Sequence, residues 1–212
     1  AVDTIGGPGK SEMGHAYGKS FDDVQWIDDV LDQLGIDKTN IAGVSHGGYL
    51  AQLYTLKRPE RVKRTLCISS TVPDAKKGSP LKAMIKIFLP EALFPTKNNI
   101  EKLLRKLAGN NVEVFTGNKD IMRHYQALLK GFNNMAMTYH KVTGFSPDEI
   151  AQIREKILYL VGEEDPFQKL GGKEMLLKNH MHAIWYPHAG HGLNHELAEQ
   201  VNQKMLEYFL SE

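Results

Sequence analysis

Three polar clusters carry residue types that could do chemistry together. Gly43-Val44-Ser45-His46-Gly47 sets a serine at the centre of a G-x-S-x-G pentapeptide. Gly162-Glu163-Glu164-Asp165 ends an apolar run in carboxylates, and Pro187-His188-Ala189-Gly190-His191-Gly192 sets two histidines in a glycine-containing loop. A serine hydroxyl is a poor nucleophile until a base takes its proton, and an imidazole base needs a carboxylate to hold its tautomer. Ser45, His191 and Asp165 supply those three roles, and the chemistry they imply is attack of Ser45 on a carbonyl carbon.

The details of each cluster sharpen the assignment. In the pentapeptide the turn must be tight enough to strain the serine backbone, so side chains at Gly43 or Gly47 are expected to collide with the adjoining strand and helix. Such a turn lifts Ser45 to the positive N-terminal end of the next helix and aims the His46 backbone N–H at a developing oxyanion. His191 is the candidate base, because it follows a strand, lies between Gly190 and Gly192, and precedes the last helix. His188 is its rival, with an ordinary loop histidine as the plainer reading. Asp165 falls just past its strand, where the loop can turn inward; Glu163 and Glu164 read as solvated loop charges, and Asp74 is an outside alternative. A metal pair of His188 and His191 lacks a third ligand at matching spacing, so neither metal nor cofactor is called for.

These residues must be held by an alternation of strands and helices. Ser20 is expected to open a helix with Asp23 in the capping-box position, carrying Phe21, Val24, Ile27, Val30, Leu31 and Leu34 at helical spacing and ending at Gly35. Ile41–Val44 is a short strand, a helix follows through Leu50, Leu53, Tyr54 and Leu56, and Thr65–Ile68 is a buried strand. After Val72 the pattern changes: Pro73, Pro80, Pro90 and Pro95 break the chain, and amphipathic helices are expected near Pro80–Phe88, Asn99–Leu107 and Lys119–Lys130. The alternation resumes with strand Ile157–Val161, a helix near Gly172–Asn179, strand Ala183–Tyr186 and a final helix bearing Leu197, Val201, Met205 and Tyr208. This order predicts an α/β fold, a mostly parallel sheet with helices on both faces, whose carboxyl strand ends carry the functional loops. Residues 1–71 and 155–212 form the core in this reading, and residues 72–154 form a helical lid.

Bulk properties narrow the function. The chain has 212 residues and a formal net charge of +1, which gives no electrostatic case for nucleic acid or a membrane surface. No apolar run approaches the ~20 residues of a membrane span. Cys67 is the single cysteine, which excludes an internal disulfide and fits a reducing cytoplasm. Between Asp74 and Ile150 there are 12 Lys or Arg against 7 Asp or Glu, a positive excess expected to form a solvated face.

The order Ser…Asp…His, the run Gly-Val-Ser-His-Gly-Gly, the stretch Leu160-Val161-Gly162-Glu163-Glu164-Asp165-Pro166 and the Gly-His-Gly loop together resemble the α/β-hydrolase superfamily, in its small esterase and lipase-like branch. The glycine-rich opening, Asp3…Gly6…Gly9-Lys10-Ser11, looks like that family's loop after its fourth strand. The resemblance implies a lid between the sixth and seventh strands, and a serine nucleophile disfavours the epoxide hydrolase and dehalogenase branches. It also implies about three strands and a helix ahead of the opening loop, roughly 60 residues, that this sequence lacks. An N-terminally truncated form of a longer enzyme is therefore expected. Without the family's His-Gly segment the His46 N–H would act largely alone at the oxyanion. The strand bearing Ser45 would have an open edge through which the chain could form a homo-oligomer.

The leading expectation is hydrolysis of a small ester, thioester or lactone through an acyl-Ser45 intermediate. A peptidase, C–C hydrolase or perhydrolase could use the same three residues, and a ligand-binding or inactive member is a non-enzymatic alternative. Met84, Ile85, Ile87, Phe88, Leu89, Leu93 and Phe94, with Phe132, Met135 and Met137, are candidates for an acyl pocket, although packing of lid against body is the plainer explanation of both groups.

Overall fold

The sheet that positions these residues has four parallel strands in the order β1-β2-β3-β4: Thr39–Val44, Val62–Ile68, Ile157–Gly162 and His182–Tyr186. The computed structural model describes residues 1–7, 9–15, 17–75, 87–88, 91, 93–131 and 134–211. Helix α1 (Asp23–Gln33) precedes β1, and α2 (His46–Lys57) joins β1 to β2. Between β2 and β3 lie α3 (Lys97–Leu107), α4 (Glu113–Thr116), α5 (Lys119–Gly131), a 3₁₀ turn (Asn134–Tyr139) and α6 (Pro147–Ile153). A kinked turn leads into α7 (Lys173–Lys178) ahead of β4, and α8 (Leu193–Glu196) and α9 (Ala198–Leu210) close the chain.

Alternate strand residues face opposite ways and build two cores, as the two-residue strand period requires. Cys67, Tyr159 and Val161 pack with Tyr49 and Leu50 of α2 and with Met175 and Leu176 of α7. Leu66, Ile68 and Leu160 pack on the other face with Leu193 of α8 and with Val201, Met205 and Tyr208 of α9. The predicted α/β sheet with helices on both faces is therefore what forms. A separate cluster of Ile100, Leu104, Ala108, Val112 and Phe115 holds the β2–β3 segment together. Among the described residues no helix is long and apolar enough to cross a membrane.

Buried polar side chains tie the layers. Gln52 donates to the Gly48 and Thr71 carbonyls and accepts from the Tyr159 hydroxyl at 2.6 Å, so α2 is fixed to β3 by a fully satisfied amide. Asp28 accepts from Tyr54 at 2.7 Å and from Arg58 at 2.8 Å, joining α1 to the end of α2.

Element ends depart from expectation in instructive ways. The α1 cap is Asp22, not Ser20: its carboxylate accepts from the Val24 and Gln25 N–H groups, and Asp23 is turned inward and buried. An ionised carboxylate meets two orphan N–H groups with more charge than a hydroxyl, which decides the choice. Gly35 (φ +66°) does end α1, with Ile36 N–H bonded to the Leu31 carbonyl and Gly35 N–H to that of Asp32. Helix α6 was not anticipated, although Ser146-Pro147-Asp148-Glu149 forms a complete capping box. The helix expected near Pro80–Phe88 falls outside the described residues apart from Ile87 and Phe88. Asp22→Ala should lower unfolding free energy by about 1 kcal/mol, whereas Ser20→Ala should leave it unchanged; urea melts of the two variants compare them directly.

Candidate active site

Ser45 sits where β1 turns into α2, with φ 53° and ψ −113°, a backbone conformation that costs a non-glycine residue on the order of 1–3 kcal/mol. The turn is held open by contact of backbone on backbone. A Cβ at Gly43 would stand 2.0 Å from the Gly47 carbonyl oxygen, and the Ser45 N–H is fixed to the Ile68 carbonyl at the end of β2. The expectation for Gly47 is corrected: a Cβ there meets nothing within 4 Å, because the helix turns that position away from the sheet. Gly47 contributes its carbonyl to the contact, and only Gly43 must lack a side chain for it.

The three candidate residues meet at the carboxyl end of the sheet. His191 Nε2 lies 3.0 Å from Ser45 Oγ, and His191 Nδ1 lies 2.9 Å from Asp165 Oδ2. A carboxylate only accepts, so Nδ1 carries the proton and Nε2 offers its lone pair to the serine hydroxyl. Asp165 is fully buried, and its other oxygen accepts from the Phe167 N–H at 2.8 Å. The Phe167 ring lies 4.7 Å from the His191 imidazole, shielding the pair from one side; sequence reasoning missed it, though it follows Asp165 by two residues.

The rivals lie elsewhere. His188 is exposed, away from Ser45, and its carbonyl accepts from the Asn110 N–H. Glu163 is exposed, Glu164 pairs with Lys169, and Asp74 pairs with Lys178.

A cleft of ≈ 200 Å³ opens beside Ser45 and His191. Its walls are Leu104, Leu107 and Ala108 from α3 and its end, Phe115, Tyr125, and Asn194 and His195 from α8. None of the described candidates for the pocket is among these walls. Ile87 is buried, Leu93 and Phe94 are exposed, Met137 is half-buried, and the Phe88 ring lies 6.3 Å from that of Phe167, while Met84, Ile85, Leu89, Phe132 and the Met135 side chain lie outside the described residues. The signal for the true wall was the apolar stripe of α3 (Ile100, Leu103, Leu104, Leu107), which reads equally as core. Burial, with His124 nearby, lowers the pKa of His195 and favours its neutral form. Among its described residues the wall has no Lys, Arg, Asp or Glu.

The His46 N–H, next after the serine, has no acceptor among the described residues and opens the first turn of α2. The His46 ring is neutral: burial first, and the neighbouring His140 second, push its pKa down to about 4. His140 itself was not foreseen. It is fully buried, its Nδ1 is 2.5 Å from Asp23 Oδ1 and its Nε2 is 2.6 Å from the Ile5 carbonyl oxygen. Both partners are acceptors, so both nitrogens donate and the ring is an imidazolium. Burial alone would lower its pKa, but the Asp23 and Ile5 bonds outweigh this and the net shift is upward.

The family model described as the alpha/beta hydrolase fold matches residues 5–196. The chain belongs to the α/β hydrolase fold family. Within that family it is 26% identical over 230 residues to an uncharacterized carboxylesterase, nap, of Bacillus subtilis (strain 168), covering 100% of this chain and 70% of that protein. The crystal structure of naproxen esterase (carboxylesterase NP) from Bacillus subtilis is also similar, with a TM-score of 0.75 at 26% identity over 98% of this chain and 72% of that one. A 2-hydroxy-6-oxononadienedioate/2-hydroxy-6-oxononatrienedioate hydrolase of Burkholderia vietnamiensis (strain G4 / LMG 22486) is 26% identical over 193 residues, 84% of this chain and 65% of that protein.

Two outcomes follow for this α/β hydrolase. Gly43→Ala should destabilise the fold by about 1–3 kcal/mol, and Gly47→Ala, with free space, should be neutral or stabilising; denaturant melts separate them. His140 has its folded pKa raised above the ordinary 6.5. Its contribution to stability is therefore complete below pH 6.5 and declines as pH rises through the raised value. Unfolding free energies measured across that window should fall with pH in the wild type and lose that slope in His140→Gln.

Proposed function

We propose that this protein is a carboxylesterase-like serine hydrolase that cleaves a compact, uncharged ester through an acyl-Ser45 intermediate. The observation that carries the reading is the unbroken line Asp165–His191–Ser45, at 2.9 and 3.0 Å, opening into a cleft whose described walls carry no Lys, Arg, Asp or Glu. Ser45 Oγ attacks the ester carbonyl carbon as its proton passes to His191 Nε2. Asp165 holds the imidazolium that results and keeps its ring oriented. Negative charge developing on the carbonyl oxygen is met by the His46 N–H, reinforced by the N-terminal end of α2. Collapse of the tetrahedral intermediate breaks the bond to the alcohol oxygen, which takes the proton from His191. Water then repeats the sequence on the acyl-enzyme with His191 as base and releases the acid. The segment at 72–154 acts as the lid, with α3 as the substrate-facing wall.

The relatives include both carboxylesterases and a hydrolase whose named substrate is a dioate. The wall of this cleft favours the ester reading: a dianionic substrate leaving water needs a cation opposite its carboxylates, and the described wall supplies none.

Turnover of p-nitrophenyl acetate should fall at least about 10⁴-fold in Ser45→Ala and in His191→Ala, and should survive largely intact in His188→Ala. Esters of equal length with a terminal carboxylate on the acyl chain should be turned over more slowly than the uncharged ones. Full activity in His191→Ala, or a preference for the charged acyl chain, would contradict the reading.

A further inference from the structure

We propose that Glu196 is a positioning residue for His191, acting as a clamp that fixes the loop of the base to the wall of the cleft. The inference rests on the proposed hydrolase function for the role of His191, but its geometry is independent of the substrate. Glu196 ends α8, is 7% exposed and touches none of the reacting atoms. Both its oxygens accept from the Gly190 N–H, at 3.0 and 3.1 Å, and Oε2 also accepts from the Gly109 N–H at 3.0 Å. Gly190 immediately precedes His191, and Gly109 lies two residues beyond Leu107 in the cleft wall. One carboxylate therefore gathers an N–H from each of two segments that are far apart in sequence.

The two segments are already laid against each other. His191 N–H donates to the Leu107 carbonyl at 2.6 Å and Asn110 N–H donates to the His188 carbonyl at 2.8 Å. The approach leaves no room for side chains: a Cβ on Gly109 would stand 2.0 Å from the His188 oxygen, and one on Gly190 would stand 2.2 Å from the Leu107 oxygen. On the opposite side Glu164 N–H donates to the Ala189 carbonyl, and a Cβ on Gly162 would stand 2.2 Å from that same oxygen. The base loop is thus gripped between the end of β3 and the α3 wall, and Glu196 is the side chain that closes the grip. A carboxylate is a demanding choice in this place, since burial and the nearby Asp165 both disfavour its charge. Amide donors aimed at it offset only part of that cost, and burial leaves its pKa raised, so the side chain is held here for its geometry at a cost to its charge. The consequence is that the cleft wall and the base move as one body.

Glu196→Gln keeps the size of the side chain but turns an NH₂ group toward amide donors. Two readouts on the full chain test the proposal. With p-nitrophenyl acetate, kcat should fall about 10²-fold, the scale of a misplaced catalytic group, while KM changes by less than about threefold. In proton NMR the downfield Nδ1–H resonance of His191, identified by its loss in His191→Ala, should shift or broaden. A folded Glu196→Gln protein with wild-type kcat overturns the proposal, as does a loss of kcat with the resonance unmoved, or a change confined to KM. If Glu196→Gln does not fold, Gly109→Ala presses on the same loop through the His188 carbonyl and should give the same pair of changes; wild-type values in that variant overturn the proposal equally. Should the wild type itself fail to cleave esters, the hydrolase reading falls, and the resonance alone still decides whether Glu196 holds His191.

Discussion

Ser45 and His191 stand 146 residues apart in sequence and 3.0 Å apart in space, and the rest of the molecule is organised around closing that distance. Parallel pairing does most of it. With β1, β2, β3 and β4 running the same way, Val44 is in register with Ile68 and Gly162 with Tyr186, so all the following loops emerge on one side. What remains is a matter of fractions of an ångström, which hydrophobic packing alone does not specify. Here the chain uses backbone against backbone: Gly43 on Gly47, Gly162 on Ala189, and Gly190 on Leu107. Such contacts have no side chain to repack, so they give a single distance where a Leu–Leu contact would allow several. They also over-determine the strained backbone of Ser45, which would relax if the turn had freedom.

Two Asp–His pairs lie near the Ser45–His46 turn and differ in how the second ring nitrogen is used. Asp165–His191 points its free Nε2 at Ser45, a lone pair ready to take a proton. Asp23–His140 has both nitrogens committed, to the Asp23 carboxylate and the Ile5 carbonyl, and is a closed ion pair beside the His46 ring. The same residue types thus serve opposite purposes according to whether the second ring nitrogen faces a hydroxyl or a carbonyl. The closed pair also gives the opening loop, through Ile5, its tie to α1 and to the segment before α6.

Much of this was legible in the sequence. Strand–turn–helix flanking of Gly-Val-Ser-His-Gly placed Ser45 in the turn at the strand end, where the close approach of Gly43 to the Gly47 carbonyl leaves no room for a side chain. Apolar runs ending in Asp165 and in the His191 loop foretold that these residues meet Ser45, because parallel strands deliver their carboxyl ends together. Long-range polar contacts were not legible. Nothing local distinguishes Asp23 from Asp22, yet one caps a helix and the other is buried against His140, 117 residues away. Glu196 sits on the polar side of a short helix by pattern, and its meeting with Gly109 depends on how the β2–β3 segment docks. The part of the cleft wall that α3 supplies was not legible for the same reason: α3 presents a stripe of Ile and Leu whose use as wall or core is decided only by what packs opposite. Gly47 illustrates a limit of motif reasoning, since a glycine at a motif position need not be there for want of space.

The central claim is that Ser45 is an activated nucleophile because His191 and Asp165 are held against it. The most direct measurement is intact mass and peptide mapping after exposure of the folded protein to a fluorophosphonate probe. The account predicts a single adduct on Ser45, formed rapidly in the wild type and abolished in His191→Ala. A folded wild-type protein that takes no adduct, or one that is labelled equally fast without His191, would contradict it.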